Sequence, residues 1–241
     1  MTEIRASDSR GVFLEGVRVA LTGPALYVAI SLMGVGALAR AAGFPVGAAA
    51  LSTLLLWAGP AQVLFFGAGV AKTAPPAIAL AVSLSSVRLL PMCLSVLPML
   101  REKRTRLPTL FAAAHFIAVT VWAESLRRLP ERAREERLPF FFGLAVTCMG
   151  LTTFSTALGF WLAGSLPGPL AAGMMMLSPI YFLATTSRAA RSGADWLAIV
   201  VGVVLAPVMV TFVGGGFDLP ALALIGGGGA WLLGFYARRI A

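Results

Sequence analysis

The chain has 241 residues, of which 59% are hydrophobic and only 12% are charged, with a formal net charge of +9 at pH 7. A soluble domain carries about 25% charged residues, so too few polar side chains remain here to coat a globule in water. The composition excludes a soluble enzyme or binding module and indicates a protein whose surface faces lipid.

Hydrophobic runs without Asp, Glu, Lys or Arg follow one another along the chain, and a helix that crosses a bilayer needs about 20 apolar residues. The longest run, residues 138–187, counts as two because the Gly- and Pro-rich stretch 164–169 divides it. The sequence therefore predicts one all-α, polytopic membrane domain over residues 1–241, with seven or eight hydrophobic segments. These are residues 19–39, 41–71, 73–100, 107–123, 138–187 (two segments), 196–217 and 219–237.

The first segment has some features of a signal peptide. Arginines precede it, and Ala37-Leu38-Ala39 has the small-residue pattern of a cleavage site. The run is longer than the 7–15 residues typical of a signal-peptide core, so we expect it to stay as the first membrane helix.

The basic residues predict the orientation, because positively charged short loops stay on the cytoplasmic side; we expect them to serve this purpose and not nucleic-acid binding. With a cytoplasmic N-terminus and eight crossings, residues 127–137, 188–191 and 238–239 fall inside. Residues 101–106, with four basic side chains, fall outside. Either this loop breaks the rule or one early segment does not fully cross, which leaves seven crossings with a re-entrant segment as the alternative.

A weak internal repeat occurs at an offset of 119 residues, where residues 56–60 fall on 175–179 and residues 79–82 fall on 198–201. Both copies have a small residue and a proline near the middle of a long apolar segment. The sequence therefore indicates two repeat halves, at about residues 11–101 and 130–215, each with a broken helix.

The steps Gly59-Pro60 and Ser178-Pro179 are the predicted breaks, because proline removes an amide donor from the helix ladder. At membrane depth such breaks survive only where they are buried in protein or line a cavity. Paired broken segments in corresponding halves point to a transporter's substrate site. We predict a midplane site framed by the two steps, with Gln62 adding one acceptor and two donors. The alternatives are two ordinary proline kinks, and a Gln62 side chain that only hydrogen-bonds to a neighbouring helix.

Arg88 is the most informative charge, since it lies about fifteen residues into an apolar segment beside Ser86. A charged residue deep in a bilayer costs at least about 2.5 kcal/mol, so it should face protein or water. Its forked donors suit a substrate carboxylate, and Ser86 would add a hydrogen bond. The alternatives are a structural ion pair, or a segment that begins later and leaves Arg88 near the interface.

Two further residues are candidates for proton coupling. His115 lies in the middle of the fourth segment and is a candidate proton relay, because histidine is the side chain suited to proton exchange near neutral pH; the alternative is a packing residue whose hydrogen bonds are satisfied. Glu124 ends that segment, where pairing with Arg127 or Arg128 is the alternative. The sequence contains no Walker A motif, no metal-ligand spacing and no nucleophile constellation, so we expect neither enzyme activity nor a cofactor or metal.

The same residues resemble the AzlC family, the large subunits of branched-chain amino acid exporters. The match covers most of the chain, best from about residue 11 to 125. Two positions depart from the family: Ser86 replaces an asparagine, and His115-Phe116-Ile117-Ala118-Val119 stands where an acidic stretch is common. The matching features are the first-helix residues Gly16, Pro24, Gly34 and Gly36, the Trp57–Gln62 "AGxxQ" motif, and Ser86-Val87-Arg88-Leu89-Leu90-Pro91.

The resemblance implies an exporter in the cell inner membrane that works with a small AzlD-like membrane subunit and uses the proton gradient. On this hypothesis Arg88 binds the carboxylate of a hydrophobic amino acid, and apolar side chains such as Met175 and Phe182 line the pocket. A passive channel or facilitator, and a membrane scaffold without transport, are the alternatives.

Overall fold

Helices make up the regular structure of the chain. The computed structural model describes residues 9–212 apart from 103, 104 and 191, together with residues 225, 228 and 229. This part contains twelve α-helices and no strand, which confirms the predicted all-α fold. The last predicted segment, residues 219–237, lies outside the described residues except for those three positions. In chain order the helices are α1 (Ser9–Leu21), α2 (Pro24–Ala41), α3 (Val46–Leu56), α4 (Gly59–Val70), α5 (Pro75–Val87), α6 (Leu89–Leu100), α7 (Leu107–His115), α8 (Val119–Arg128), α9 (Arg134–Ser165), α10 (Gly168–Met175), α11 (Leu177–Ala189) and α12 (Gly193–Phe212).

Prolines mark where many of these helices begin. A proline in the first turn lacks an amide that would have no partner there, and its fixed φ already suits a helix. Five helices have such a proline, so several apolar runs divide into shorter helices. The prolines are Pro24, Pro60, Pro75, Pro108 and Pro169.

The candidate membrane spans among the described residues are fewer than the apolar segments of the sequence. Among the described residues, Arg134–Ser165 and Gly168–Arg188 are each long and apolar enough to cross a membrane. Three pairs reach that length only together, with bends of 59° between α1 and α2, 43° between α5 and α6, and 120° between α7 and α8. The described part therefore has two to five candidate spans, and the predicted seven or eight are not confirmed.

The centre of the bundle is a backbone contact between α9 and the α1–α2 pair. Gly16 and Gly143 lie where α1 meets the first third of α9, and Gly36 and Gly159 lie where α2 meets its second half. A Cβ atom at Gly36 would lie 1.9 Å from the carbonyl oxygen of Thr156. Glycine is needed at these positions because a residue without a side chain lets the two helix backbones approach this closely. Residues later in the α1–α2 pair contact residues later in α9, so α1 and α2 run parallel to α9.

Helices α3 and α4 fold back on each other as a hairpin. Gln62 in α4 donates through Nε2 to Ser52 Oγ (3.0 Å) and Thr53 Oγ1 (2.9 Å) in α3. Phe44, just before α3, packs edge-on against Phe66 in the second half of α4, with ring centroids 5.3 Å apart. Both ends of the hairpin therefore lie at the same end of the bundle.

The tip of this hairpin reaches the middle of the bundle. Trp57 joins the two helices with a left-handed backbone, φ 34° and ψ 40°, which is unusual for a bulky residue. Its indole Nε1 donates to Thr152 Oγ1 at 3.2 Å, and Thr152 lies near the midpoint of α9. The predicted break at Gly59-Pro60 is therefore a sharp turn into α4, deep inside the protein.

Helices α7 and α8 form a second hairpin, with the 120° bend at residues 116–118. Arg106 precedes it, and it ends at Arg127 and Arg128. Arg137, in the first turn of α9, donates to the carbonyl oxygen of Met99 in α6 at 3.3 Å, which brings the end of α6 beside the start of α9. Residues 101, 102, 105, 106 and 127–137 therefore lie at one end of the bundle, here called the basic end. The α7–α8 hairpin thus enters and leaves the bundle at the same end, and the number of membrane crossings stays a prediction.

The two predicted helix breaks are present at corresponding positions. Trp57 follows α3 and Met176 follows α10, and these positions differ by the predicted offset of 119. The paths after the breaks differ, because α4 folds back while α10 and α11 continue as the span Gly168–Arg188. The hydroxyl of Ser178 donates to the carbonyl of Ser31 and fixes this span against α2. The internal repeat therefore stays a prediction.

Candidate functional site

The break at Gly59-Pro60 and the tips of both hairpins surround a cavity of about 270 Å³. Its wall combines one side of α2, the tip of the α3–α4 hairpin, the bend between α5 and α6, the start of α8, the middle of α9 and the middle of α11. The lining residues are Ala25, Val28, Leu32, Trp57, Ala58, Gly59, Pro60, Arg88, Leu89, Ala118, Val119, Thr120, Cys148, Thr152, Tyr181, Phe182, Thr185 and Thr186.

Of the predicted site residues, the structure brings Gly59, Pro60 and Arg88 together in this wall, with Phe182 beside them. Phe182 packs directly over the backbone of Gly59, where a Cβ atom would lie 2.2 Å from its ring. Arg88 is the C-cap of α5 and the N-cap of α6, so the 43° bend places it in the cavity wall, where the residue as a whole is exposed.

Gln62 lies behind the cavity and not in its lining. It is fully buried, and its two amide protons go to Ser52 and Thr53. Thr53 is hydrogen-bonded in turn to Thr156 of α9 at 2.9 Å. Gln62 thus closes the α3–α4 hairpin and ties it to α9, while its Oε1 has no partner among the described residues.

The remaining predicted ligands lie outside the cavity lining. Ser86 donates to the carbonyl of Val82 in its own helix at 2.8 Å. Ser178 is buried and bonded to Ser31, as described above, and neither Pro179 nor Met175 lines the cavity. The second predicted break therefore supplies the lining through residues further along α11, from Tyr181 to Thr186.

The two candidate proton carriers lie on the α7–α8 hairpin. His115 Nε2 lies 2.8 Å from the carbonyl oxygen of Leu54 in α3. Glu124 accepts hydrogen bonds of 2.8 Å from both Arg127 and Arg128, the pairing that its position predicts. Neither residue lines the cavity.

Several lining residues did not stand out in the sequence. Trp57 is prominent only as part of the break, and the hydroxyls of Thr120, Thr152, Tyr181 and Thr185 are ordinary in membrane helices. The only available signal was that Tyr181 and Thr185 lie one helical turn apart just after the predicted Ser178-Pro179 break.

The cavity is electropositive at one side and apolar elsewhere. Arg88 has no ion pair with a described residue, and no described Asp or Glu lines the cavity. The N-termini of α4 and α8 open onto it without a side-chain cap, and helix N-termini carry partial positive charge. The hydroxyls of the lining threonines supply acceptors. The arrangement suits a small zwitterion with an apolar side chain.

A helical bundle of this hydropathy, with broken helices around a small central cavity, defines a membrane protein of the transport class. The model of the AzlC protein family matches residues 24–166, which is more than half of the chain. The chain belongs to the AzlC family, a non-enzymatic family associated with branched-chain amino acid transport. No curated protein and no solved structure matches it.

Proposed function

We propose that this protein exports hydrophobic, branched-chain amino acids across the cell inner membrane, coupled to the proton gradient and together with a small AzlD-like membrane subunit. The observation that carries the proposal is the guanidinium of Arg88, which has no ion pair with a described residue, in the wall of a small, mostly apolar cavity. At about 270 Å³ the cavity is just below the range of about 300–1,000 Å³ for drug-sized ligands, and it suits one amino acid.

In this proposal the substrate carboxylate lies on Arg88, whose forked donors match its two oxygens. The ammonium group faces the hydroxyl acceptors of the lining threonines Thr120, Thr152 and Thr185. The side chain lies between Leu32 and Phe182, where burial in an apolar wall favours a branched aliphatic group.

The basic end of the bundle is assigned to the cytoplasm, because short loops rich in arginine are retained there. Proton coupling is assigned to the α7–α8 hairpin at that end, through Glu124 or His115. Arg127 and Arg128 favour the ionised form of Glu124, so proton uptake by this carboxylate requires that the hairpin moves and these contacts break.

Export is tested in cells that lack their own exporters and are fed a leucine-containing dipeptide. We expect intracellular leucine to fall when this chain is expressed with its small membrane partner, and to stay high with either protein alone. Efflux against a leucine gradient, abolished by a protonophore, supports proton coupling, whereas flux only down the gradient identifies a facilitator. No change with both proteins present contradicts the proposed substrate.

Substrate preference should depend on Phe182. Phe182→Ala removes the ring that covers Gly59 and enlarges the cavity, so we expect preference to shift from leucine towards phenylalanine, with the ratio of their transport efficiencies changing by roughly tenfold. Competition between the two amino acids measures the ratio. Phe154→Ala is the matched control, since Phe154 is 64% exposed on the outer face of α9. An unchanged ratio in Phe182→Ala would show that the Phe182 ring is not part of the substrate pocket.

A further inference from the structure

The two hairpins enter the bundle from opposite ends. The α3–α4 hairpin starts and ends beside Phe44, far from the basic end, and the α7–α8 hairpin starts and ends at the basic end. Their tips touch, with the rings of Trp57 and Phe116 edge-to-face at a centroid distance of 6.2 Å. Each hairpin therefore separates the centre of the bundle from one end.

A hydrogen bond joins the two tips. His115, the last residue of α7, places Nε2 at 2.8 Å from the carbonyl oxygen of Leu54, in the last turn of α3. A carbonyl oxygen only accepts, so Nε2 must carry the proton. The last carbonyls of a helix have no partner within it, so the imidazole satisfies an acceptor that would otherwise be left open.

The joined tips form part of the cavity wall. The lining includes Trp57 to Pro60 from one hairpin and Ala118 to Thr120 from the other, whereas His115 itself does not reach the cavity. Cys148 of α9 lies in the same lining and is only 2% exposed. Separation of the tips would open the wall and expose this thiol.

We propose that the α3–α4 and α7–α8 hairpins are two opposed gates of the cavity, and that His115 is the positioning residue that holds their tips together through the Leu54 carbonyl. The proposal rests on the proposed transport function for its meaning, but the contact itself is independent of the substrate. Opening one gate while the other stays packed gives access from one end at a time, as transport against a gradient requires.

This role differs chemically from proton transfer. The bond to Leu54 needs only an N–H donor, and the amide Nε2 of glutamine supplies one at a similar reach. Glutamine does not take up a proton near neutral pH. His115→Gln therefore keeps the gates together while it removes a proton carrier, and His115→Ala removes both.

Cys148 reports the state of the gates without any transport assay. In a Cys93→Ser background it is the single thiol, because the chain has two cysteines. We expect N-ethylmaleimide to modify Cys148 roughly fivefold to tenfold faster in full-length His115→Ala protein in membranes than in the parent, as expected for the loss of one hydrogen bond. His115→Gln should react at close to the parent rate. Thermal unfolding in detergent confirms that each variant is folded.

The possible results separate the two proposals. Equal alkylation rates in parent and folded His115→Ala protein overturn the gate contact, as does a His115→Gln protein that reacts like the alanine variant. If the alanine variant is unfolded, the glutamine variant and a Trp57→Phe/Phe116→Leu pair, which weakens the ring contact, carry the test: faster alkylation in that pair supports the gates and an unchanged rate overturns them. If the expected differences occur but leucine does not slow the alkylation of Cys148 in any variant, the gates stand and the proposed substrate fails.

Discussion

Replacing Arg88 with alanine is expected to abolish leucine export and to weaken leucine binding roughly tenfold to a hundredfold. The expected loss of affinity is that of a hydrogen bond between charged groups, which contributes about 1.5–3 kcal/mol to the binding free energy. Binding to the purified two-subunit protein, measured by calorimetry, and efflux from leucine-loaded proteoliposomes check it. Arg88→Lys should be intermediate, since lysine keeps the charge but loses the fork that matches two carboxylate oxygens.

Arg101→Ala is the matched control for this experiment. Arg101 follows the last residue of α6, whereas Arg88 precedes its first residue, so the two arginines cap opposite ends of one helix. Only Arg88 lines the cavity. Leucine analogues add a second control, because leucine amide lacks the carboxylate and should bind parent and Arg88→Ala protein equally weakly. Normal leucine binding by Arg88→Ala would show that another group holds the carboxylate.

Local chemistry explains which parts of the site the sequence could predict. Glycine and proline determine where a helix can be interrupted, so both breaks were predictable from Gly59-Pro60 and Ser178-Pro179. A charge within an apolar run must avoid lipid, so the sequence already indicated that Arg88 faces protein or water, and the residue lies in the cavity wall. These inferences need only the residue and its neighbours in the chain.

The direction of the chain after each break was not predictable, because it depends on contacts distant in sequence. The α3–α4 hairpin folds back because Gln62 donates hydrogen bonds to Ser52 and Thr53. Helix α11 instead continues in the direction of α10, and Ser178 donates a hydrogen bond to Ser31 of α2. Both segments are apolar and of similar length, so hydropathy does not distinguish a crossing from a hairpin. For the same reason, the sequence does not show whether a polar residue near a break binds the substrate or joins two helices. Gln62 and Ser178 were predicted as ligands, and the structure places them in contacts between helices.

The fold depends on the close backbone contact between α2 and α9. We therefore expect Gly36→Ala to be the most destabilising substitution that adds a single methyl group. An added Cβ would lie 1.9 Å from the Thr156 carbonyl oxygen, and Gly159→Ala would place one 2.1 Å from that of Met33. The obstacle in each case is backbone, which a rotamer change does not remove. Overpacking of this kind costs about 1–3 kcal/mol, and more where neighbours are rigid.

Gly150→Ala in α9 is the control variant for this test. Gly150 is exposed, and nothing lies within 4 Å of an added Cβ. In a helix interior alanine is favoured over glycine by about 1 kcal/mol, so this variant should unfold at the same or a higher temperature. Gly36→Ala has the same gain in propensity and should nevertheless unfold at a lower temperature, or fail to purify as a single species in detergent. If Gly36→Ala is as stable as Gly150→Ala, then α2 and α9 are not in backbone contact, and the rigid frame against which the two hairpins would move is lost.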